Sequence, residues 1–371
     1  MNILIVGAGL AGSAAALHLS RAGHAVTVVD SITEPYRGGY MLQLDQRAER
    51  CMSDLGLGDV MEKLSIPAPD IAMVHRGPRG HRTVTTVDPR GYSLVRRGDF
   101  IRAISERAAA EAPLHLGREL VGVEQRLDHV VAHFRDGDAQ RYDLLVGADG
   151  LRSTVRRLVL GPDEEFVHEN GWTNVWVDVP IDVLGRDRSE IHFGKGSGAY
   201  FFPYPEGDRA LYLAFTPTGG RLSTVPEMIA RARREVEVGG GGARVSAALA
   251  AADPAAVRLT RFAQVRMPRW HAGRVVLLGD SAYCVDPISG VGTTASLLGA
   301  ERLAAALGRH GGDVDAAARA YTAEMAPRVR LWQRTTAGFM EAGSGGRAAE
   351  RLHGVSELAR AARELVRLGR R

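Results

Sequence analysis

The sequence predicts an α/β fold (α+β overall): a Rossmann-like parallel-sheet domain interleaved with a mostly antiparallel sheet region, closing on helices. Three observations carry this reading. Ile3-Leu4-Ile5-Val6, Leu144-Leu145-Val146 and Val275-Val276-Leu277-Leu278 are short continuous apolar runs, as in strands buried on both faces. Each runs into a glycine-containing turn followed by helical composition, the βα pattern of a doubly wound sheet. Between the second and third runs, residues 166 to 268 change texture, with aromatic-rich strand candidates split by glycine turns.

The first unit is the most informative. Gly7-Ala8-Gly9-Leu10-Ala11-Gly12 follows the first strand, Ser13 to Ala22 reads as a helix, and Ala25 to Val29 reads as a second strand ending at Asp30. Glycines in that spacing allow a tight turn, close backbone approach to a pyrophosphate and tight helix packing, while Asp30 can take ribose hydroxyls. A bare Gly-x-Gly-x-x-Gly is weak evidence in a chain with 44 glycines. Strand, glycines, helix, strand and acid in the right order point to dinucleotide binding.

Further along, residues 34 to 39 read as a loop, Tyr40 to Leu44 as a strand, and 46 to 64 as helix interrupted at Gly56 and Gly58. Ile71 to His75 and Thr83 to Val87 alternate as a hairpin. Asp99 to Ala112 is a helix stopped before Pro113, with short strands at 114 to 116, 120 to 123, 130 to 134 and 142 to 146. In the middle region, strands are expected at 172 to 179, 190 to 193, 199 to 204 and 210 to 215, then a helix at 226 to 238 and a glycine break at 239 to 242. Helices are expected at 296 to 307, 314 to 334 and 347 to 368, the last as a packed amphipathic helix.

Composition narrows the class. The chain has 371 residues, 45% hydrophobic and 24% charged, which suits about two globular domains. It has no apolar run of about 18 residues, so no membrane partner is expected. The formal charge is only +4, and the arginines are scattered without an aromatic-interleaved face, so no nucleic acid is expected. Lys63 and Lys195 are the only lysines, and Cys51 and Cys284 give no disulfide framework, so a cytoplasmic setting is the simplest. No catalytic triad, metal cluster or paired-acid site is apparent; His168, His192 and His271 read as isolated, and the metal expectation is none.

Two further segments extend the first motif. Tyr142 to Val146 leads into Gly147-Ala148-Asp149-Gly150, with Ser153 placed to cap the following helix. Val275 to Leu278 leads into Gly279-Asp280, followed by Pro287-Ile288-Ser289-Gly290-Val291-Gly292-Thr293-Thr294 at the head of a long helix. The arrangement resembles the single-component (group A) flavoprotein aromatic hydroxylases, the p-hydroxybenzoate hydroxylase-like family, over residues 1 to about 335.

That resemblance implies FAD as cofactor, NADPH or NADH as reductant, and a monooxygenase that oxygenates a small aromatic or polycyclic, natural-product-like substrate with O2 through a flavin C4a-hydroperoxide. It implies an FAD-binding domain from 1–70, 95–165 and 270–300, a substrate domain from 71–94 and 166–269, and a helical region over 301–371. The implied cofactor contacts are Gly7, Gly9, Leu10, Ala11, Gly12, Asp30, Arg97, Val121, Asp149, Gly150, Gly279, Asp280, Gly290, Val291, Gly292 and Thr293. Among them Asp280 would bind the ribityl chain, Arg97 would reach FAD from a helix head, and Asp149 would lie between the pyrophosphate and the reductant's route. Pro287, Gly292 and Thr293 are the candidates for the flavin environment, with no catalytic side chain assigned. Tyr200 and Phe202 are expected to line the substrate pocket, sharing a strand face with Tyr204.

The chain departs from the family at Tyr283, commonly histidine, at Asp286-Pro287, commonly paired prolines, and at Gly290-Val291-Gly292-Thr293-Thr294, commonly Gly-Gln-Gly-x-Asn. A halogenase or a flavin-dependent reductase of the same fold is the alternative, and a non-catalytic flavin-binding protein a further one. Monomer and homodimer are both compatible with the sequence.

Overall fold

The computed structural model describes residues 1–34, 41–68, 70–76, 82–87, 91–180, 189–194, 197–203, 209–217 and 257–343, with positions 226, 227, 230, 247 and 250. The chain divides into two compact units. The first comprises Met1–Leu64, Arg97–His168 and Ala263–Gln333.

At the centre of the first unit is a six-stranded sheet in the order His271–Ala272, Val275–Leu277, Leu144–Gly147, Asn2–Val6, Ala25–Asp30, Leu114–Leu116. Its pairings are parallel apart from the short His271–Ala272 edge. Ile3, Leu4 and Ile5 are wholly buried, which explains why the first strand has no alternating pattern. Each such side chain contributes about 2 kcal/mol of burial free energy. The chain leaves the first strand towards Ala25–Asp30 and later returns on its other side at Leu144–Gly147, so the strand order reverses at the carboxyl end of Asn2–Val6. Ligands of open α/β sheets bind at such a switch point.

Helix Leu10–Arg21 packs against helices Gly292–Arg309 and Arg97–Glu111. Ala14, Ala15 and Ala16 are fully buried there, and their small side chains allow the close approach. Helices Gln46–Asp54 and Gly58–Leu64 are separated at the glycine break read from the sequence. Leu120–Gln125, Val130–Phe134 and Ala139–Tyr142 form an antiparallel meander. The helix expected over 314 to 334 runs from Val314 to Gly343, through Pro327 and past Thr335-Thr336. Thr336 is buried, so packing overrides the weak helix propensity of this pair.

The second unit comprises Ser65–Arg96, Glu169–Phe262 and Arg334–Arg371. Its seven-stranded sheet has the order Arg258–Val265, Val167–Pro180, Arg209–Pro217, Ser197–Pro203, Ser189–Gly194, Ile71–Arg76, Arg82–Val87. The last two strands are the expected hairpin, and Ser189–Gly194 pairs in parallel with Ile71–Arg76. Val175, Trp176, Val177 and Phe201 are buried. Tyr204, Lys195, the glycine break at 239–242, most of the helix expected over 226–238 and the helix expected over 347–368 lie outside the described residues.

The turn after the first strand is where this fold has least tolerance. A Cβ on Gly12 would lie 1.9 Å from the backbone oxygen of Gly7, which cannot swing away as a side chain could. Gly12→Ala is therefore expected to destabilise the cofactor-free protein by about 3 kcal/mol. Chemical denaturation of the apoprotein checks this, and an unchanged midpoint would contradict it.

Candidate cofactor site

Three glycine turns leave three adjacent parallel strands at one level. Val6 stands opposite Gly147, and Gly147 opposite Leu277. The ladder continues into the turns: Gly7 N–H donates to Val29 O (2.7 Å), Ala148 N–H to Val6 O (2.8 Å) and Leu278 N–H to Gly147 O (2.9 Å). The Ser281 hydroxyl also donates to Gly147 O at 2.6 Å, tying the second turn to the third. The three motifs, separated by more than a hundred residues in sequence, thus converge at the carboxyl end of the sheet.

The glycines there divide into two kinds. Gly7 has φ +109°, and a Cβ on it would stand 2.4 Å from Ala148 O. A Cβ on Gly279 would meet the Ala11 side chain at 2.7 Å. Together with Gly12, these positions are closed by the protein itself. At Gly9 and Gly292, by contrast, an added Cβ meets no protein atom within 4 Å. Gly9 caps helix Leu10–Arg21 and Val291 caps helix Gly292–Arg309, neither with a side-chain cap bond. The first N–H groups of both helices therefore have no partner within their own helix, and the positive ends of the helix dipoles favour an anion. Bare backbone, open space and uncapped helix starts fit a pyrophosphate at the first helix and an electron-rich ring edge at the second.

Asp30 ends its strand half-buried. Its carboxylate accepts from Ala8 N–H (2.7 Å) and Ile32 N–H (3.1 Å), so it shapes the glycine turn before any ligand arrives. A carboxylate has about four acceptor sites, which leaves capacity for ribose hydroxyls. Leu10 is half-buried and Ala11 buried in the first helical turn, and Val121 is exposed on strand Leu120–Gln125.

Asp149 has a structural task of its own. It accepts from the Ser153 hydroxyl (2.5 Å) and Val155 N–H (3.0 Å), while Ser153 caps helix Thr154–Val159 by accepting from Arg156 N–H. Burial raises its carboxyl above the usual range, and these hydrogen bonds oppose that rise. Gly150 follows with φ +80°, which a larger residue would rarely adopt. Arg156, which the sequence reading did not single out, is fully buried and donates to Leu151 O, Ser281 O and Asp163. It links the second turn to the start of the third.

Asp280 opens the short helix Asp280–Tyr283 and is brought into the electrostatic reach of Arg97, at the head of helix Arg97–Glu111. Protein crowds around the carboxylate although the residue itself is exposed, as for a group on the wall of a recess. Desolvation pushes it upward, and the Arg97 charge and a hydrogen bond with Cys284 pull it back. Both thiols are buried: Cys51 is pushed up to about 12 and Cys284 is raised strongly, so both stay neutral.

Beyond it, Pro287–Ser289 forms a single 3₁₀ turn, Gly290 has φ +66°, and the helix starts at Gly292 with Thr293 buried in its first turn. Asp286 has φ +80°, a left-handed conformation that proline cannot take, so this loop follows a path closed to a paired-proline sequence. Tyr283 is a packing residue. Its ring lies 4.6 Å from Trp270, its hydroxyl 3.1 Å from that of Tyr321, and Gly299 leaves the space its hydroxyl fills.

His271 Nε2 lies 3.3 Å from Asp315, outside any cluster of metal-ligating side chains among the described residues. In the second unit, Tyr200 is half-buried and stands opposite Leu213 and Ile191, and Phe202 stands opposite Leu211. The intervening Phe201 is buried.

Comparison with known proteins agrees with this geometry. A family model described as FAD binding domain matches residues 1–335. The FAD-dependent monooxygenase asL6 of Sarocladium schorii is 30% identical over 366 residues, covering 90% of this chain and 86% of that protein. The FAD-dependent urate hydroxylase of Klebsiella pneumoniae is 27% identical, covering 89% and 87%. The crystal structure of Klebsiella pneumoniae HpxO complexed with FAD and uric acid superposes with a TM-score of 0.81 at 24% identity, covering 100% of this chain and 93% of that one. The chain belongs to the FAD-binding-domain family, among the group A flavoprotein hydroxylases, and is an FAD-dependent monooxygenase. Among the described residues, no helix is long and apolar enough to cross a membrane and no His, Cys, Asp and Glu group could hold a metal ion.

Two outcomes follow from the site. Gly9→Ala is expected to leave apoprotein stability within about 1 kcal/mol, the scale of a helix-cap change, while weakening FAD about tenfold in a fluorescence titration. Asp280→Asn is expected to raise the apoprotein's melting temperature at pH 7 and to weaken FAD binding. The sign follows from the raised carboxyl: the folded apoprotein prefers the protonated form, so this group favours folding below the ordinary carboxylate range and disfavours it as pH rises. The stability gain should therefore vanish in melts at acid pH.

Proposed function

We propose that the enzyme uses NADH or NADPH and O2 to insert one oxygen atom into a small aromatic or polycyclic, natural-product-like substrate in the cytoplasm. The observation that carries this reading is the convergence of the three motif turns at the carboxyl end of the sheet, with Asp280 in the electrostatic reach of Arg97 and two uncapped helix starts. Bound FAD supplies hydride acceptance from the nicotinamide and activation of O2. We assign FAD binding to the first unit and substrate binding to the second, with Tyr200 and Phe202 lining the pocket.

Each residue then has a definite task. Gly9 admits the pyrophosphate to the backbone of helix Leu10–Arg21, and Asp30 accepts from the adenosine ribose. Asp280 accepts from the ribityl hydroxyls, and Arg97 offsets its charge. The head of helix Gly292–Arg309, at Gly290, Val291, Gly292 and Thr293, favours negative charge at the pyrimidine edge by about 1–2 kcal/mol. Asp149 holds the turn past which the reductant approaches. The urate and monooxygenase names of the relatives support small-molecule oxygenation without choosing the substrate for this chain.

The test is NADH and NADPH oxidation with a panel of aromatic compounds under ¹⁸O2, with products read by mass spectrometry. Substrate should accelerate oxidation, and one labelled atom should enter the product. Product formed without O2 would make the enzyme a reductase, and a requirement for chloride or bromide would make it a halogenase.

A further inference from the structure

We infer that Thr294 is a positioning residue: its hydroxyl, donated to the buried carboxylate of Asp45, fixes the head of helix Gly292–Arg309 where the flavin edge rests. The bond measures 2.9 Å between Thr294 Oγ1 and Asp45 Oδ1, spans 249 positions of sequence, and joins residues that are 1% and 6% exposed. It rests on the cofactor assignment above and concerns a contact within the protein.

The cradle needs such a restraint. Residues 286 to 291 contain two left-handed positions, Asp286 and Gly290, and only one 3₁₀ turn. Within that stretch, Ser289 donates to Asp286 O (2.6 Å) and accepts from Val291 N–H (3.2 Å), so its bonds close the turn on itself. They do not set where the helix head lies.

Asp45 can set it, because it is fixed from its own side. The same Oδ1 accepts from Arg47 N–H (3.1 Å) and Ala48 N–H (2.9 Å), capping helix Gln46–Asp54. A threonine in a first helical turn commonly satisfies its hydroxyl on a nearby carbonyl. Here the hydroxyl bonds a charged acceptor on another element, a stronger and more directional bond. The preceding strand, Met41–Asp45, braces the turn as well: Gln43 Oε1 lies 3.8 Å from where a Cβ on Gly290 would stand. Strand and helix cap thus flank both the Gly290 turn and the first helical turn. Thr294 occupies the position where the resembling family commonly has asparagine, and in this chain its hydroxyl is committed to Asp45.

The test compares wild type, Thr294→Val, Thr294→Ser and Asp45→Ser in FAD titrations, flavin midpoint potential and apoprotein melting. Thr294→Val keeps the shape and removes the donor. It should weaken FAD about tenfold, as expected for a lost bond to a charged group, and shift the potential to more negative values. Thr294→Ser should restore both. Asp45→Ser keeps a helix cap but is too short to reach Thr294, so it should reproduce the valine phenotype and decides the matter if Thr294→Val does not fold. Wild-type affinity and potential in Thr294→Val, or in Asp45→Ser, would overturn the inference, as would a serine variant that behaves like valine. Wild-type protein that takes up no FAD would instead overturn the cofactor assignment, and this inference with it.

Discussion

The site depends on three parallel strands ending level with one another. Opposition of Val6 to Gly147, and of Gly147 to Leu277, places three glycine turns side by side. Parallel register is demanding because a slip by one residue would turn every side chain to the other face. Here both faces are buried, so hydrophobic patterning alone would resist a slip only weakly. The register is held at the turns by Gly7, Ala148 and Leu278 N–H and by the Ser281 hydroxyl, all bonded to backbone carbonyls. The hydrogen bonds that define the site are therefore also those that align the sheet.

From this follows a division of labour among residues of one type. Gly7, Gly12 and Gly279 are required because neighbouring protein occupies the space of a side chain, whereas Gly9 and Gly292 face open space. The acids divide in the same way. Asp149 is spent on Ser153 and Val155, and Asp30 is shared between the glycine turn and its remaining lone pairs. Asp280 has neither backbone ladder nor helix cap to serve; it bonds Cys284 and lies within the electrostatic reach of Arg97. An ionised carboxylate crowded by protein is a cost that a hydroxylated ligand can offset, which is a physical reason for its presence.

Much of this was legible in the sequence because it is local. A strand, a glycine spacing and a terminal acid lie within thirty residues, and their chemistry depends on backbone geometry that the sequence dictates directly. Ser153 as a cap was legible for the same reason. Arg156 was not, because an arginine on a short helix reads as surface until Ser281, 125 positions away, is folded beside it. Tyr283 was legible only as a departure from the family's usual histidine; its packing against Trp270, Tyr321 and Gly299 emerges only in the folded chain. Gly299 was a usable signal, since a glycine inside a long helix commonly marks a close approach.

Arg156 shows why the convergence is rigid. A fully buried guanidinium is costly unless its donors are met; here its two terminal nitrogens reach Leu151 O, Ser281 O and Asp163, while Nε has no partner among the described residues. Two of those partners flank separate motif turns, and the third is a carboxylate that also meets Arg157. A hydrophobic residue of similar volume could pack in that space without specifying the relative position of the two turns. The directional demands of the charge do specify it. Asp280 begins the helix whose second residue supplies the Ser281 carbonyl, so a shift of that helix would strand the buried cation as well as misplace the acid. The penalty for misplacing Asp280 is thereby carried by the core, before any cofactor binds.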